Sequence, residues 1–356
     1  MPDELSRRSA PTRVALALGS GGARGYAHIG VIEALRERGY DVVGVSGSSM
    51  GALVGGLHAA GRLDEFSEWA KSLTQRTILR LLDPSISAAG VMRAGKILDA
   101  VRDILGPVAI EDLRIPYTAV ATDLLAGKSV WFQRGPLDEA IRASIAIPGV
   151  IAPHAADGRL LADGGILDPL PMAPLSAVNA DLTIAVNLSG SEAITTREAE
   201  PGATAEWLTR MLRSTSALLD TAAARSLLDR PTARAVLSRL GGPGGEPDDW
   251  SDNPDEEPSP ADAVAGELAA AVSDVPKLGS FEVMNRTIDI AQAALARHTL
   301  AVYPPDLLIE VPRSTCRALE FHRAVEVIAT GRALADDALD TLEAGRDDAA
   351  PPAIDR

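Results

Sequence analysis

The sequence predicts an α/β protein, in which short apolar strands alternate with helices. Near the N-terminus, strands over residues 13–18 and 42–46 each run into a glycine-rich turn and then into an apolar helical pattern. Late in the chain, strands over 182–187 and 307–311 precede a long helix predicted over 318–344. The last of these strands is expected to return to the main sheet, with helices packed against it.

The second strand leads into the motif Gly47-Ser48-Ser49-Met50-Gly51, which reads Gly-x-Ser-x-Gly. A strand, a sharp turn and a helix would place Ser49 at the turn, with its hydroxyl above a helix N-terminus. This geometry exposes a nucleophile and directs backbone N–H groups at the charge that its attack creates. We therefore predict Ser49 as a nucleophile between the elbow glycines Gly47 and Gly51.

A glycine-rich loop at residues 19–25 follows the first strand and precedes a helix. Glycines leave backbone N–H groups bare and free to point at an anion. Such a loop suits an oxyanion hole, for which Gly21, Gly22 and Ala23 are the predicted donors. Arg24 is predicted to hold the loop by hydrogen bonds.

A carboxylate with two glycines behind it follows a short strand predicted over 160–162: Asp163, Gly164 and Gly165. The glycines allow other backbone segments to approach closely. Asp163 is therefore expected to reach Ser49 without a bulky neighbour between them.

Four motifs thus stand in order, at residues 21–25, 47–51, 143–149 (Ala-Ser-Ile-Ala-Ile-Pro-Gly) and 163–165. Together they resemble the patatin-like phospholipase family. That family has a Gly-Gly-x-Arg-Gly oxyanion loop, here closed by Gly25, a Gly-x-Ser-x-Gly nucleophile, an Ala-Ser-x-Ala-x-Pro segment and an Asp-Gly-Gly or Asp-Gly-Ala base. The resemblance covers about half of the chain. It implies a three-layer α/β/α fold with a mainly parallel central sheet and helical insertions.

The resemblance also implies a Ser–Asp dyad, in which Asp163 takes the proton of Ser49 during attack on an ester carbonyl. N–H groups of the glycine loop would hold the oxyanion, and a water activated by Asp163 would release the acyl group. The implied substrate is a lipid or another fatty-acyl ester, and the mechanism requires neither a metal nor a cofactor. Head group and acyl length stay open.

Three other interpretations stay open at this point. A Ser-His-Asp hydrolase would add His298 or His322 to Ser49 and Asp163, although His322 is predicted to lie in the middle of a helix. A nucleotide-binding protein would use the first glycine loop, yet the third glycine of the usual pattern is displaced to Gly25. A non-catalytic or regulatory protein of the same fold would keep the motifs without turnover.

Composition narrows the class of partner and the compartment. The chain has 356 residues, a net charge of −15 and 46% hydrophobic residues. This charge argues against nucleic acid as a partner and against electrostatic adsorption to anionic membranes. A single cysteine, Cys316, excludes an internal disulfide and suits a reducing compartment. With no apolar export signal at the start, we expect a cytoplasmic protein, for which transient peripheral contact with a membrane surface stays open.

Shifts in composition predict the domain organisation. A helix over 63–82 is expected either to meet lipid as a lid or to pack on the sheet. A strand pair is expected over 117–121 and 129–132, with a turn near Gly127. The predicted segments are a disordered tail at 1–12, a catalytic core at 13–190, a helical insertion at 191–304 with an acidic Pro/Gly-rich flexible loop at 241–262, a closing strand and helix at 305–346, and a disordered tail at 347–356.

Overall fold

The computed structural model describes residues 10–81, 95–148, 150–190 and 280–349. Its strands are β1 (Arg13–Leu18), β2 (Asp41–Ser48), β3 (Tyr117–Asp123), β4 (Lys128–Phe132), β5 (His154–Ala156), β6 (Arg159–Asp163), β7 (Leu182–Gly190) and β8 (Leu307–Pro312). Its α-helices are α1 (Ala27–Glu37), α2 (Met50–Ala59), α3 (Leu63–Ser72), α4 (Gln75–Leu81), α5 (Gly95–Leu105), α6 (Leu137–Ser144), α7 (Ser280–Val302) and α8 (Ala324–Ala349).

The strands form one mixed sheet in the order β5-β6-β3-β2-β1-β7-β8, with β4 paired to β3. Strands β3, β2, β1, β7 and β8 pair in parallel, whereas β4, β5 and β6 add antiparallel pairings on the β3 side. Ser48 on β2 is paired with Val120 on β3, and the next β3 residue, Ala121, is paired with Asp163 on β6. This register brings Asp163 level with the chain immediately before Ser49.

Helices cover both faces of the sheet. Val14, Leu16 and Leu18 on β1 belong to a core that includes buried residues of α1, α2 and α8. Ala15 and Ala17, the alternate residues, belong to a second core that includes Ala296 of α7. Because successive strand side chains point to opposite faces, the two cores lie on opposite sides of the sheet. The predicted three-layer α/β/α fold with a mainly parallel sheet is therefore confirmed.

The closing strand and helix return to the N-terminal half of the fold. Strand β8 pairs in parallel with β7, as expected from the sequence. A Cβ on Gly30 of α1 would lie 2.1 Å from the Ile328 carbonyl oxygen, and one on Gly331 of α8 would lie 2.1 Å from the Ala27 carbonyl oxygen. Since neither helix has room for a methyl group at these points, α1 and α8 pack backbone to backbone.

Two predicted helices have different bounds in the structure. The predicted helix over 63–82 breaks at Leu73, which is extended, and α4 restarts where the Thr74 hydroxyl accepts a hydrogen bond from the Thr77 amide at 3.2 Å. The last helix begins at Ala324 rather than at 318: a 3₁₀ turn at Phe321–Arg323 precedes it, and the Ala318 carbonyl accepts a hydrogen bond from the Ala23 amide at 2.8 Å. It continues through Ala349, three residues into the predicted tail.

The predicted strand pair is confirmed, since β3 and β4 are antiparallel and the turn contains Gly127 at φ 63°. The described residues up to 190 and those from 287 to 349 belong to one compact unit. The acidic loop predicted at 241–262 lies outside the described residues. Of the helices in the described ranges, none is long and apolar enough to cross a membrane.

Candidate active site

Ser49 lies at the sharp turn between β2 and α2. Its backbone has φ 55° and ψ −122°, a conformation that non-glycine residues seldom adopt and that costs about 1–3 kcal/mol. A Cβ on Gly47 would lie 2.3 Å from the Gly51 carbonyl oxygen, and a Cβ on Gly51 would lie 2.0 Å from the Leu18 carbonyl oxygen. Both elbow glycines are therefore needed, because backbone segments meet where a side chain would stand.

The structure brings Ser49 and Asp163 together although they are 114 residues apart in sequence. The Ser49 hydroxyl Oγ donates a hydrogen bond to Asp163 Oδ2 at 2.5 Å. The other carboxylate oxygen, Oδ1, accepts a hydrogen bond from the Gly165 amide at 2.7 Å. Both residues are buried, with 3% of Ser49 and 4% of Asp163 exposed. The carboxylate is therefore held in one orientation, with one oxygen on the nucleophile.

Burial makes Asp163 a stronger base than an aspartate in water. Removal of solvent penalises the carboxylate and raises the pKa of Asp163 to about 6. Hydrogen bonds from the Ser49 hydroxyl and the Gly165 amide favour the charged form and offset part of this rise in pKa. Asp163 is thus ionised above about pH 6, in the range where a general base is useful.

Two adjacent amides of the glycine loop have no hydrogen-bond partner among the described residues. The N–H groups of Gly21 and Gly22 make no hydrogen bond within the described residues, whereas Ala23 N–H donates to the Ala318 carbonyl at 2.8 Å. The Ala23 amide is therefore engaged in the structure, and its role as an oxyanion donor stays a prediction. Gly22 has φ +58°, and a Cβ there would lie 2.3 Å from the Ala318 carbonyl oxygen. Only glycine fits that position without strain.

Close contacts between motifs position the loops around Ser49. A Cβ on Gly25 would lie 2.3 Å from Met50 Cβ, so the glycine loop packs directly on the first residue of α2. A Cβ on Gly165 would lie 2.6 Å from Ser20 Oγ, so the base loop lies against the glycine loop. The glycines of three separate motifs thus allow three backbone segments to converge on one point.

Helix α7 adds contacts that sequence reasoning missed. Arg24 Nη2 lies 3.3 Å from Asp289 Oδ1, in an ion pair whose side chains are 5% and 32% exposed. Ser20 Oγ donates a hydrogen bond to Gln292 Oε1 at 3.3 Å. The partner of Arg24 thus lies on a distant helix, and the role of Arg24 in holding the glycine loop stays a prediction. No motif marks Asp289 or Gln292, so no signal in the sequence points to them.

The histidines do not form a triad with Ser49. His28 is fully buried, and burial lowers the pKa of His28 to about 4. The imidazole is therefore neutral at pH 7, and Nε2 lies 2.8 Å from the Gly19 carbonyl oxygen, to which it donates its proton. His298 lies on α7, and His322 lies in a short 3₁₀ turn at Phe321–Arg323 rather than in the middle of a helix.

In the described part of the chain, no histidine hydrogen-bonds to Ser49 or Asp163. The same residues hold no cluster of three or more His, Cys, Asp or Glu side chains that could bind a metal ion. The contacts of Ser49 therefore support a two-residue arrangement with Asp163.

Comparisons with known proteins agree with the motifs. The family model of the patatin-like phospholipases matches residues 16–176. Uncharacterized NTE family proteins of Mycobacterium tuberculosis and Mycobacterium bovis are 77% identical over 350 residues, covering 98% of this chain and 97% of theirs. The neuropathy target esterase sws of Drosophila melanogaster is 34% identical over 195 residues, covering 53% of this chain and 14% of that protein. The chain belongs to the patatin-like phospholipase family, and its mycobacterial relatives are named as NTE family proteins.

Proposed function

We propose that the protein is a lipid acyl hydrolase, in which Ser49 is the nucleophile and Asp163 the general base. The observation that carries this proposal is the 2.5 Å hydrogen bond from Ser49 Oγ to Asp163 Oδ2, made at a strained elbow where both residues are buried. Membership of a phospholipase family supports a fatty-acyl ester as substrate. We further propose that the protein is cytoplasmic and meets lipid by transient contact with a membrane surface.

Acylation begins when Ser49 Oγ forms a bond to the acyl carbon and its proton moves to Asp163 Oδ2. The π electrons of the carbonyl move to its oxygen, which becomes an oxyanion. The amides of Gly21 and Gly22, which lack a hydrogen-bond partner in the described part of the chain, would supply donors for that charge together with the first amides of α2. Loss of one such donor typically lowers the rate by about 10²–10³-fold.

The tetrahedral intermediate then collapses, and the bond from the acyl carbon to the leaving oxygen breaks. The leaving alcohol takes the proton from Asp163, which is ionised again, and the acyl group remains on Ser49. Water attacks this acyl-enzyme, gives a proton to Asp163, and forms a second oxyanion at the same donors. When the bond to Ser49 breaks, Asp163 returns the proton to Ser49 Oγ. The net reaction is ester and water to carboxylic acid and alcohol.

A fluorophosphonate probe tests this function directly, because it forms a covalent adduct only with an activated serine. Wild type, Ser49→Ala and Asp163→Asn are labelled, and peptide mass spectrometry locates the adduct. We expect an adduct on Ser49 in the wild type, none there in Ser49→Ala, and strongly slowed labelling in Asp163→Asn. Hydrolysis of p-nitrophenyl esters of increasing chain length and of phospholipid and lysophospholipid vesicles then identifies the substrate class.

The opposite result is equally clear. A folded wild type without an adduct on Ser49 and without hydrolysis of any ester would support a non-catalytic protein of this fold. Full labelling of Asp163→Asn at the wild-type rate would leave Ser49 as nucleophile but remove Asp163 as its base.

A further inference from the structure

The motif at residues 143–149 has no part in the steps above, yet it contacts both reacting residues. It begins in the last turn of α6, which ends at Ser144. Ser144 is fully buried, with 0% of its surface exposed. The hydrogen bonds of this short segment lead to the backbone of Ser49 on one side and of Asp163 on the other.

The Ser144 hydroxyl forms two hydrogen bonds at the elbow. Oγ accepts a hydrogen bond from the Ser49 amide at 2.9 Å and donates one to the Val120 carbonyl oxygen at 2.6 Å. Val120 is paired with Ser48 in the sheet, and a Cβ on Gly164 would lie 2.1 Å from the same carbonyl oxygen. One hydroxyl therefore connects the nucleophile to the strand on which the base loop lies.

The next turn of the segment holds the base. The Asp163 amide donates a hydrogen bond to the Ala146 carbonyl oxygen at 2.9 Å. Ser144 and Ala146 are two residues apart, so one short, buried piece of chain holds the amide of the nucleophile and the amide of the base. This segment thereby determines the distance between the backbone at Ser49 and the backbone at Asp163.

Ser49 needs such a contact because its backbone conformation is strained. A residue at φ 55° persists there only when its surroundings determine its conformation. Without the Ser144 hydroxyl, the Ser49 amide and the Val120 carbonyl would each lose a buried hydrogen-bond partner. Both groups would then move to regain partners, and Ser49 Oγ would move with them.

We propose that Ser144 is a positioning residue, whose hydroxyl holds the Ser49 amide so that Ser49 Oγ stays within hydrogen-bond distance of Asp163. This inference depends on the function proposed above. It also assigns the Ser49 N–H to Ser144, so that this amide takes no part in the oxyanion hole. Ser144 itself touches no reacting atom and acts only through the elbow.

The test replaces Ser144 and uses Ser46 as the matched control. Ser46 lies on the same strand as the elbow, is equally buried, and donates its hydroxyl to the Pro171 carbonyl without contacting Ser49. We expect Ser144→Ala to lower the rate of fluorophosphonate labelling at Ser49 and the kcat for a p-nitrophenyl ester about 10–100-fold, with little change in KM. Ser46→Ala should stay within about 2-fold of the wild type, because it loses one hydrogen bond away from the nucleophile.

The pH dependence of the labelling rate distinguishes a positioning role of Ser144 from a general loss of structural stability. Burial and the hydrogen bonds from Ser49 and Gly165 determine the pKa of Asp163. A longer Ser49–Asp163 contact removes one of the bonds that lower this pKa. The acidic limb of the labelling rate should therefore shift to higher pH in Ser144→Ala and stay in place in Ser46→Ala.

Each outcome decides the inference. Labelling of Ser144→Ala at the wild-type rate and with the wild-type pH profile would overturn the role of Ser144 and leave the hydrolase function intact. Absence of an adduct in the wild type would overturn both. If Ser144→Ala does not fold, Ser144→Cys replaces it, because the thiol has nearly the same shape but is a weak donor and acceptor. A folded Ser144→Cys with wild-type labelling would likewise refute the positioning role.

Discussion

Replacement of Asp163 by asparagine should stop turnover and stabilise the fold at neutral pH. Among the described residues no cation pairs with this buried carboxylate, and its hydrogen bonds come from the neutral Ser49 hydroxyl and Gly165 amide. Asparagine keeps the shape: its oxygen can accept from the Gly165 amide, and its nitrogen can donate to Ser49 Oγ. The variant removes the charge and the base, and leaves the packing in place.

The size of the effect follows from the pKa of Asp163, which burial raises from 3.8 to about 6. Between these two pH values the folded protein holds the proton of Asp163, whereas the unfolded chain has already lost it. The wild type therefore loses stability as the pH rises from about 4 to about 6, and stays at the lower level above that. At 1.36 kcal/mol for each pH unit, the loss is about 3 kcal/mol. The asparagine variant has no such proton to lose and therefore avoids this loss of stability.

Urea unfolding of wild type and Asp163→Asn between pH 4.5 and 8 measures the difference in free energy of unfolding at each pH. Any constant effect of the substitution cancels when values at different pH are compared. The difference should grow in favour of the variant by about 2 kcal/mol across this range, because about 1 kcal/mol of the total is already lost below pH 4.5. For Ser49→Ala, the difference in free energy of unfolding from the wild type should change with pH in the opposite direction. This variant removes a hydrogen bond that lowers the pKa of Asp163, so it should lose stability relative to wild type as the pH rises.

A difference between wild type and Asp163→Asn that does not change with pH would refute this reasoning. It would mean that Asp163 titrates alike in the folded and unfolded chains, and hence that burial does not raise its pKa. Asp163 would then be no stronger a base than an aspartate in water.

Three other predictions concern labelling of Ser49 by a fluorophosphonate. Its rate should fall by half near pH 6, because protonated Asp163 cannot accept the Ser49 proton; a rate independent of pH from 5 to 8 would contradict this. Gly22→Ala should lower the labelling rate about 10²-fold or more, since φ of Gly22 is +58° and a Cβ there would meet the Ala318 carbonyl. Gly39→Ala is the control, because Gly39 also has a positive φ, +77°, but a Cβ there would have nothing within 4 Å. Equal labelling rates in the two variants would exclude the loop as oxyanion hole. Replacing His298 or His322 by alanine should leave the rate within about 2-fold, and a collapse in either variant would revive a Ser-His-Asp triad.

The parts of the site that could be predicted are those in which a few adjacent residues define the backbone. A strand followed by Gly-x-Ser-x-Gly and a helix determines a sharp turn locally, and Ser49 is found at that turn. The same holds for Gly22, whose positive φ suits the glycine that the motif supplies there. The order of the motifs along the chain was enough to identify the family and the three-layer fold.

The contacts that the sequence did not indicate depend on distant partners. Ala23 reads as a loop amide like Gly21 and Gly22, but its N–H is bonded to Ala318. Asp289 carries no motif, and only the packing of α7 brings it to Arg24. The residues next to Arg24 and Asp289 in the sequence contain no pattern that indicates this contact.

From its sequence alone the chain is a patatin-like α/β protein with a serine at an elbow and an aspartate followed by two glycines. Tertiary structure decides that the Ala23 amide of the glycine loop is bonded to Ala318, that the Ser144 hydroxyl holds the Ser49 amide, and that burial raises the pKa of Asp163. The division has a physical cause. Backbone dihedrals are governed by neighbours within a few residues, whereas hydrogen-bond partners and loss of solvent depend on which remote segments the fold brings into contact.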